Sequence, residues 1–106
     1  NNRDIEYNTL IDTPTLVVGT CNVYNNKSML KIHHHDLNEY YIITSGTGYV
    51  YKHDKWLPAK KDDVFEFPAG EKHFCEPDTE QGMSFVYIFQ KGPFNGIKYH
   101  FGNSKL

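Results

Sequence analysis

The segment Met83-Ser84-Phe85-Val86-Tyr87-Ile88-Phe89 is the clearest local sign of the fold. Successive side chains of an extended strand point to opposite faces, so residues two apart share a face. Phe85, Tyr87 and Phe89 then form one aromatic face, and the opposite face carries Ser84, Val86 and Ile88. This alternation predicts a β-strand over residues 83–89.

Short runs of the same kind recur along the chain, separated by turn-forming residues at the spacing typical of β-sandwiches and barrels. The glycine-containing segment 45–48 predicts a hairpin turn. No window of useful length has a helical period of 3.6, and residues 1–11 could hold at most one helical turn. The other predicted strands are 15–19, 21–24, 28–35, 39–44, 49–52, 64–67, 73–75 and 97–101.

The composition agrees with an all-β protein. The chain has 106 residues, 15% of them aromatic, and its only alanines are Ala59 and Ala69. Aromatic and β-branched residues favour strands, whereas alanine favours helices. The length fits one domain. We therefore expect a single-domain β-barrel or jelly roll over residues 1–106, with residues 1–14 as a candidate N-terminal arm.

Charge and cysteine content indicate a soluble protein without the signs of a nucleic-acid or membrane partner. There are 11 Lys and Arg residues against 13 Asp and Glu residues, a formal net charge of −2, and Arg3 is the only arginine. Nucleic-acid-binding domains are usually basic, and a membrane span needs about 18 consecutive apolar residues. Two cysteines are too few for a disulfide framework. We expect a cytoplasmic protein with neither a nucleic-acid nor a membrane partner.

The segment His33-His34-His35 is the most informative for chemistry. On a strand, His33 and His35 share a face and His34 points the opposite way. Glu39 follows after a short turn and can face the same interior. Imidazole nitrogens and a carboxylate are suitable ligands for Fe, Mn, Co, Ni, Cu or Zn.

A second segment, Pro68-Ala69-Gly70-Glu71-Lys72-His73, can deliver one more ligand. Proline and glycine form a tight turn that places His73 at the start of a strand. A third imidazole can then reach the same centre from a distant part of the chain. His34, His53 and His100 are expected to have no role in this centre.

The two segments resemble the two motifs of the cupin superfamily. The first motif, G-x5-H-x-H-x3-4-E-x6-G, is matched by His33, His35, Glu39 and Gly46. The second motif, G-x5-P-x-G-x2-H-x3-N, is matched by Pro68, Gly70 and His73. Three turn or strand-end positions depart from the motifs, and they hold Lys27, Asp62 and Pro77.

The resemblance implies a β-barrel with one divalent transition metal ion in its mouth, held by His33, His35, Glu39 and His73. Open coordination positions would accept water or a chelating substrate. Cupins carry out many reactions, so an oxygenase and an isomerase, epimerase or lyase both fit a small polar metabolite. The alternative is a non-catalytic module that binds or senses a sugar or another small molecule.

Strand alternation from the ligands gives candidate pocket residues. Tyr41 shares the face of Glu39 and is a candidate proton donor or pocket wall. The complete set of pocket candidates is Tyr41, Ile43, Cys75, Phe85 and Tyr87. Core packing explains the aromatic members equally well, and a buried apolar role is favoured for Cys75.

Small barrels bury little surface on their own, so we also expect a homodimer. The candidate association surfaces are the N-terminal segment through Val18 and the strand over residues 83–89.

Overall fold

The structure of the chain is a computed structural model that describes residues 5–24 and 32–101. Every pair of neighbouring strands is antiparallel. A single turn of 3₁₀ helix spans Phe94–Gly96. The strands in the described part of the chain are β1 (Ile5–Asp12), β2 (Val17–Val23), β3 (His33–His34), β4 (Glu39–Ser45), β5 (Thr47–Lys52), β6 (Lys55–Lys60), β7 (Val64–Phe67), β8 (Phe74–Pro77), β9 (Met83–Phe89) and β10 (His100–Phe101).

The strands form two layers. One is a five-stranded sheet of order β1-β2-β9-β4-β7, and the other combines the sheets β6-β5-β8 and β10-β3. An isolated antiparallel bridge between His33 and His73 connects the two smaller sheets. Among the described strands no ladder joins the two layers into a closed cylinder. The predicted all-β jelly-roll class is confirmed, in this open two-layer form.

The core lies between the layers, and strand alternation builds it. In β9, Met83, Phe85, Tyr87 and Phe89 are buried and the residues between them are partly exposed. The predicted aromatic face of this strand therefore points inward. The neighbouring β2 and β4 show the same alternation, which places Glu39 and Tyr41 on the inner face.

Several elements differ from the sequence predictions, and the strand predicted over 97–101 is observed only over His100–Phe101. Residues 5–12, where at most a helical turn was expected, form strand β1, and residues 17–23 form one unbroken strand. β6 was not predicted, because Pro58 interrupts any strand pattern there; as an edge strand it does not need a donor at that position. The predicted strand over 28–35 is described only from residue 32 onward.

Two turn positions adopt a left-handed backbone conformation. Gly46, in the predicted hairpin turn, has φ +83°, and a Cβ there would lie 2.2 Å from the carbonyl oxygen of Gly82. Asp62, which departs from the motif glycine, has φ +77°. The loop therefore keeps a left-handed conformation that glycine adopts without strain and that aspartate tolerates better than most residues. Lys27, another departure, lies outside the described residues.

No helix in residues 5–24 and 32–101 has the length and apolar character needed to cross a bilayer.

Candidate metal centre

Backbone hydrogen bonds place the two predicted motifs side by side. The amide of His33 donates to the carbonyl of His73 at 3.2 Å, and the amide of His73 donates to the carbonyl of His33 at 2.8 Å. Gly70 N–H donates to the carbonyl of His35 at 2.7 Å. These bonds fix His33, His35 and His73 relative to one another through the main chain.

The turn before His73 has the predicted form. Glu71 N–H donates to the carbonyl of Pro68 at 3.0 Å, and Gly70 has φ +85°. A type II turn requires a positive φ at this third position. The side-chain carbonyl of Asn38 accepts from the amide of Ala69 at 2.9 Å, which ties this turn to the loop before Glu39.

The structure brings the four predicted ligands together. One ligand atom from each of His33, His35, Glu39 and His73 lies within 4.8 Å of all the others. All four side chains are buried, with exposed fractions of 1–3%. Glu39 Oε1 lies 2.7 Å from Nε2 of His73 and 3.3 Å from Nε2 of His35.

The protonation of His73 follows from its neighbours. Its Nδ1 lies 2.8 Å from the carbonyl oxygen of Glu71, which can only accept, so we assign the ring proton to Nδ1. The lone pair of Nε2 then faces Glu39 Oε1, another acceptor, at 2.7 Å. Two acceptors at this distance need a positive species between them, either a proton or a metal ion. A backbone carbonyl that fixes the tautomer in this way is common for metal-binding histidines.

His35 is the clearest sign of a missing partner. Neither ring nitrogen has a hydrogen-bond partner among the described residues, although both atoms are buried. The 3.3 Å contact of its Nε2 with Glu39 lacks hydrogen-bond alignment. Buried polar atoms are nearly always paired, and a metal ion bound at Nε2 would pair this one.

Burial shifts the pKa values of Glu39, His35 and His73 in the directions that favour their neutral forms. Desolvation raises the pKa of Glu39 well above 4.5. Desolvation, reinforced by the neighbouring histidines, lowers the pKa of His35 to about 3. Desolvation also lowers the pKa of His73 to about 4, against the opposing effect of the hydrogen bond to Glu71. His35 and His73 are therefore kept neutral, as metal ligands must be.

A small aromatic cavity of about 10 Å³ adjoins the cluster. It has room for about one water molecule. Three of the five pocket candidates line it, namely Tyr41, Phe85 and Tyr87. Ile43 and Cys75 are fully buried in the core and are not among its lining residues. The remaining lining residues are Tyr7, His33, Glu39, Phe74 and Tyr99.

Tyr41 sits deep in this wall and is fixed by other rings. It stacks on Phe85 with ring centroids 3.9 Å apart and contacts Phe67 and His73 edge-on at 4.7 and 5.5 Å. Burial raises the pKa of its hydroxyl well above 10, which keeps the phenol protonated. Tyr41 can donate a hydrogen bond but cannot act as a base near neutral pH.

Sequence reasoning missed Tyr99, whose ring covers the histidines. Its ring centroid lies 4.4 Å from that of His35 and 5.1 Å from that of His33. The following residue, His100, pairs with His34 in the β10–β3 ladder, and Phe101 pairs with His33. The alternation of Tyr99 and Phe101 was visible in the sequence, but the pairing of this segment with β3 was not.

A second group of ligand-type residues lies on the outer side of β3. Atoms of His34, Asp36 and His100 lie within 4.8 Å of one another. The sequence analysis gave His34 and His100 no site role, because their juxtaposition depends on the same unpredicted pairing.

Comparisons with known proteins agree with the fold. The structure resembles a conserved protein with a double-stranded β-helix domain from Klebsiella pneumoniae, with a TM-score of 0.78, 15% identity and coverage of 98% of this chain and 89% of that one. It also resembles a predicted oxalate decarboxylase from Thermotoga maritima, with a TM-score of 0.69, 18% identity and coverage of 83% and 81%.

A third similar structure is a mutant salicylate 1,2-dioxygenase from Pseudoaminobacter salicylatoxidans in complex with gentisate. The TM-score is 0.75 at 12% identity, and the match covers 92% of this chain and 29% of the dioxygenase. At these identities the likenesses concern the fold alone. A search of curated proteins gives no match to the chain.

The sequence itself matches the family model of the cupin domain over residues 22–89, which is more than half of the chain. This match includes all four residues of the buried histidine and glutamate cluster. The chain therefore belongs to the cupin family.

Proposed function

We propose that the protein binds one divalent transition metal ion through His33, His35, Glu39 and His73 and uses it to act on a small polar metabolite. The observation that carries this proposal is the buried group of four ligand-type side chains, whose ligand atoms lie within 4.8 Å of one another and include a His35 Nε2 without a hydrogen-bond partner among the described residues. A bound cation would take the place of the proton between Glu39 and His73 and would also pair Nε2 of His35.

The donor set suits several metals. Three neutral imidazoles and one carboxylate are compatible with Fe, Mn, Ni, Co, Cu or Zn, and affinity alone does not select among them. Because Glu39 contributes a single negative charge, a dication leaves the bound cluster with one positive charge. That charge favours an anionic or chelating ligand at the open positions.

When bound, the ion would supply a Lewis acid and, if it is redox-active, an electron donor to oxygen. The chain's own residues supply the surroundings. Tyr41, Phe85 and Tyr87 form an apolar wall that excludes bulk water and strengthens electrostatic interactions. Tyr99 covers the histidines, so a metabolite larger than about one water molecule requires the segment carrying Tyr99 to move.

Two reaction classes fit this site, an oxygenase and an isomerase, epimerase or lyase. Oxygen uptake by the metal-loaded protein, measured against a panel of diols, thiols and hydroxy-ketones, separates them. Substrate-dependent uptake selects the oxygenase, and turnover without uptake selects the other class. The matched control is Glu39→Gln, in which either activity should disappear.

The second candidate is a non-catalytic sensor of a sugar or other small molecule. The small size of the cavity favours it, because a bound metal with one water would fill the space. Saturable binding of a compound without its conversion would select this function and exclude the enzyme.

We also propose that the protein is a homodimer associated through β1. β1 is an edge strand of the five-stranded sheet and exposes Tyr7, Leu10 and Ile11 by 51%, 59% and 41%. The outward face of β9, the other candidate, carries Ser84, Val86 and Ile88, which are less exposed than these β1 residues. A dimer in sedimentation that becomes a monomer in Leu10→Glu is the expected result, and a wild-type monomer at high micromolar concentration contradicts it.

A further inference from the structure

The outer side of β3 carries a cluster that the proposed function does not use. His34 and His100 stack with ring centroids 4.7 Å apart and planes inclined by 22°. His100 Nε2 lies 3.7 Å from Asp36 Oδ2. We propose that His34, Asp36 and His100 form a second binding site, for a divalent cation that prefers imidazole, such as Zn²⁺, Cu²⁺ or Ni²⁺.

The backbone, rather than chance side-chain contact, creates this cluster. His34 and His100 are directly opposite each other in the β3–β10 ladder, so their side chains point to the same side. Asp36 follows His34 by two residues. The neighbouring pair, His33 and Phe101, points to the opposite side, where His33 is buried and Phe101 is 58% exposed. The two candidate sites thus occupy opposite faces of one strand and share no residue.

The distances suit a metal ion after small side-chain adjustments. Ligand atoms at about 2.1 Å from a tetrahedral zinc ion lie about 3.4 Å from one another. The three candidate ligand atoms are within 4.8 Å of one another. Asp36 and His100 are 80% and 44% exposed, which leaves both side chains free to rotate toward an ion.

An unpaired atom supports the site independently. His34 Nδ1 is buried and has no hydrogen-bond partner among residues 5–24 and 32–101. Buried ring nitrogens without partners are costly and rare. An ion bound by the cluster would pair the imidazole of His34, while its remaining positions stay open to solvent.

Occupation of this site would also affect the inner cluster. An ion shared by His34 and His100 ties β10 to β3, and β10 directly follows Tyr99, the residue that covers His33 and His35. The outer ion would therefore hold the cover closed. This consequence depends on the proposed inner centre, whereas the outer site itself does not.

The test is zinc binding by the tag-free chain, measured by calorimetry and by elemental analysis after gel filtration. The wild-type chain should bind two ions, and His100→Ala and Asp36→Asn should each weaken one of the two sites at least about tenfold. His53→Ala is the matched control. His53 is an exposed histidine 2.9 Å from a carboxylate of Glu71 but is not part of a described cluster, so two ions should remain.

Loss of the inner centre is tested separately. His73→Ala should lose the inner ion and retain the outer one. If the double variant His73→Ala/His100→Ala binds no ion, the ion retained in His73→Ala is at the outer site. This result supports the outer site independently of the inner centre. Bound Cu²⁺ should show coupling to two nitrogen nuclei by electron paramagnetic resonance in His73→Ala, and the coupling to one of them should be lost in His73→Ala/His100→Ala. A single ion in the wild-type chain that remains in His100→Ala, or two ions in both His100→Ala and His53→Ala, overturns the proposal.

Discussion

The two faces of β3 present the same kind of side chain in opposite surroundings. His33 and the adjoining His35 are enclosed with Glu39, whose exposed fraction is 3%, whereas His34 lies beside Asp36, which is 80% exposed. Burial imposes a desolvation cost on the inner cluster that a bound ion offsets, whereas the outer cluster remains hydrated. Strand alternation alone therefore divides three consecutive histidines between an enclosed site and an open one.

The largest expected effect is the difference between substituting the buried carboxylate of Glu39 and the exposed carboxylate of Asp36. Glu39→Gln should weaken inner metal binding at least about 100-fold, because the ion loses its only anionic ligand. The same change should raise the free energy of unfolding of the metal-free protein at pH 7 by about 1 kcal/mol, since an amide, unlike Glu39, does not have to take up a proton on burial. Calorimetric titration and denaturant unfolding measure the two quantities.

Asp36→Asn is the exposed counterpart of this change. It should leave the stability of the metal-free protein unchanged and affect only outer binding. Equal effects of the two substitutions on stability would contradict the contrast between the buried and hydrated sites.

The pH dependence of stability should differ between the metal-bound and metal-free protein. Folded His35 and His73 have pKa values near 3 and 4, below the unfolded value of 6.5, so stability is lost as the pH falls below about 6.5. Folded metal-free Glu39, with its raised pKa, retains a proton that the unfolded chain releases, which offsets one of these two protons.

A bound ion keeps Glu39 ionised and removes that offset. Between about pH 5 and pH 6, the free energy of unfolding of the saturated protein should therefore fall more steeply, by about 1.4 kcal/mol per pH unit. Denaturant unfolding across this range, with and without metal, gives both slopes. Parallel slopes would mean that the ion does not bind at Glu39.

Tyr99, which covers the inner site, should have a smaller effect, on the rate at which the inner ion leaves. Tyr99→Ala should speed the removal of the inner ion by a chelator about tenfold, which corresponds to about 1.4 kcal/mol of lost protection. Tyr49→Ala, which removes a tyrosine that is 42% exposed and outside the cavity lining, should leave the rate unchanged. A rate that is the same in all three proteins would show that Tyr99 does not limit access.

The smallest expected effect concerns His34. Because His34 points away from His33 and His35, His34→Ala should change inner metal affinity by less than about twofold. Metal titration in a His100→Ala background isolates this effect from the outer site. Loss of the inner ion in His34→Ala with retention in His33→Ala would mean that the inner and outer residues are exchanged.

The sequence was sufficient to predict the site residues whose placement depends on local geometry. The two-residue period of a strand placed His33 and His35 on one face, and the turn with Gly70 placed His73 directly before β8. The sequence was insufficient where pairing between distant segments decides the outcome. Tyr99 and His100 reach β3 through a short antiparallel ladder that no local pattern encodes, and Pro58 concealed an edge strand.

Strand β1 protects the rest of the sheet from aggregation. It covers the edge of β2, whose segment Val17–Val23 alternates buried and partly exposed residues and pairs with β9 on its other side. A chain that begins at residue 14 would expose the backbone of β2 as a template for intermolecular strand addition. Such a chain should scatter light on standing, whereas the full chain with Leu10→Glu should remain clear.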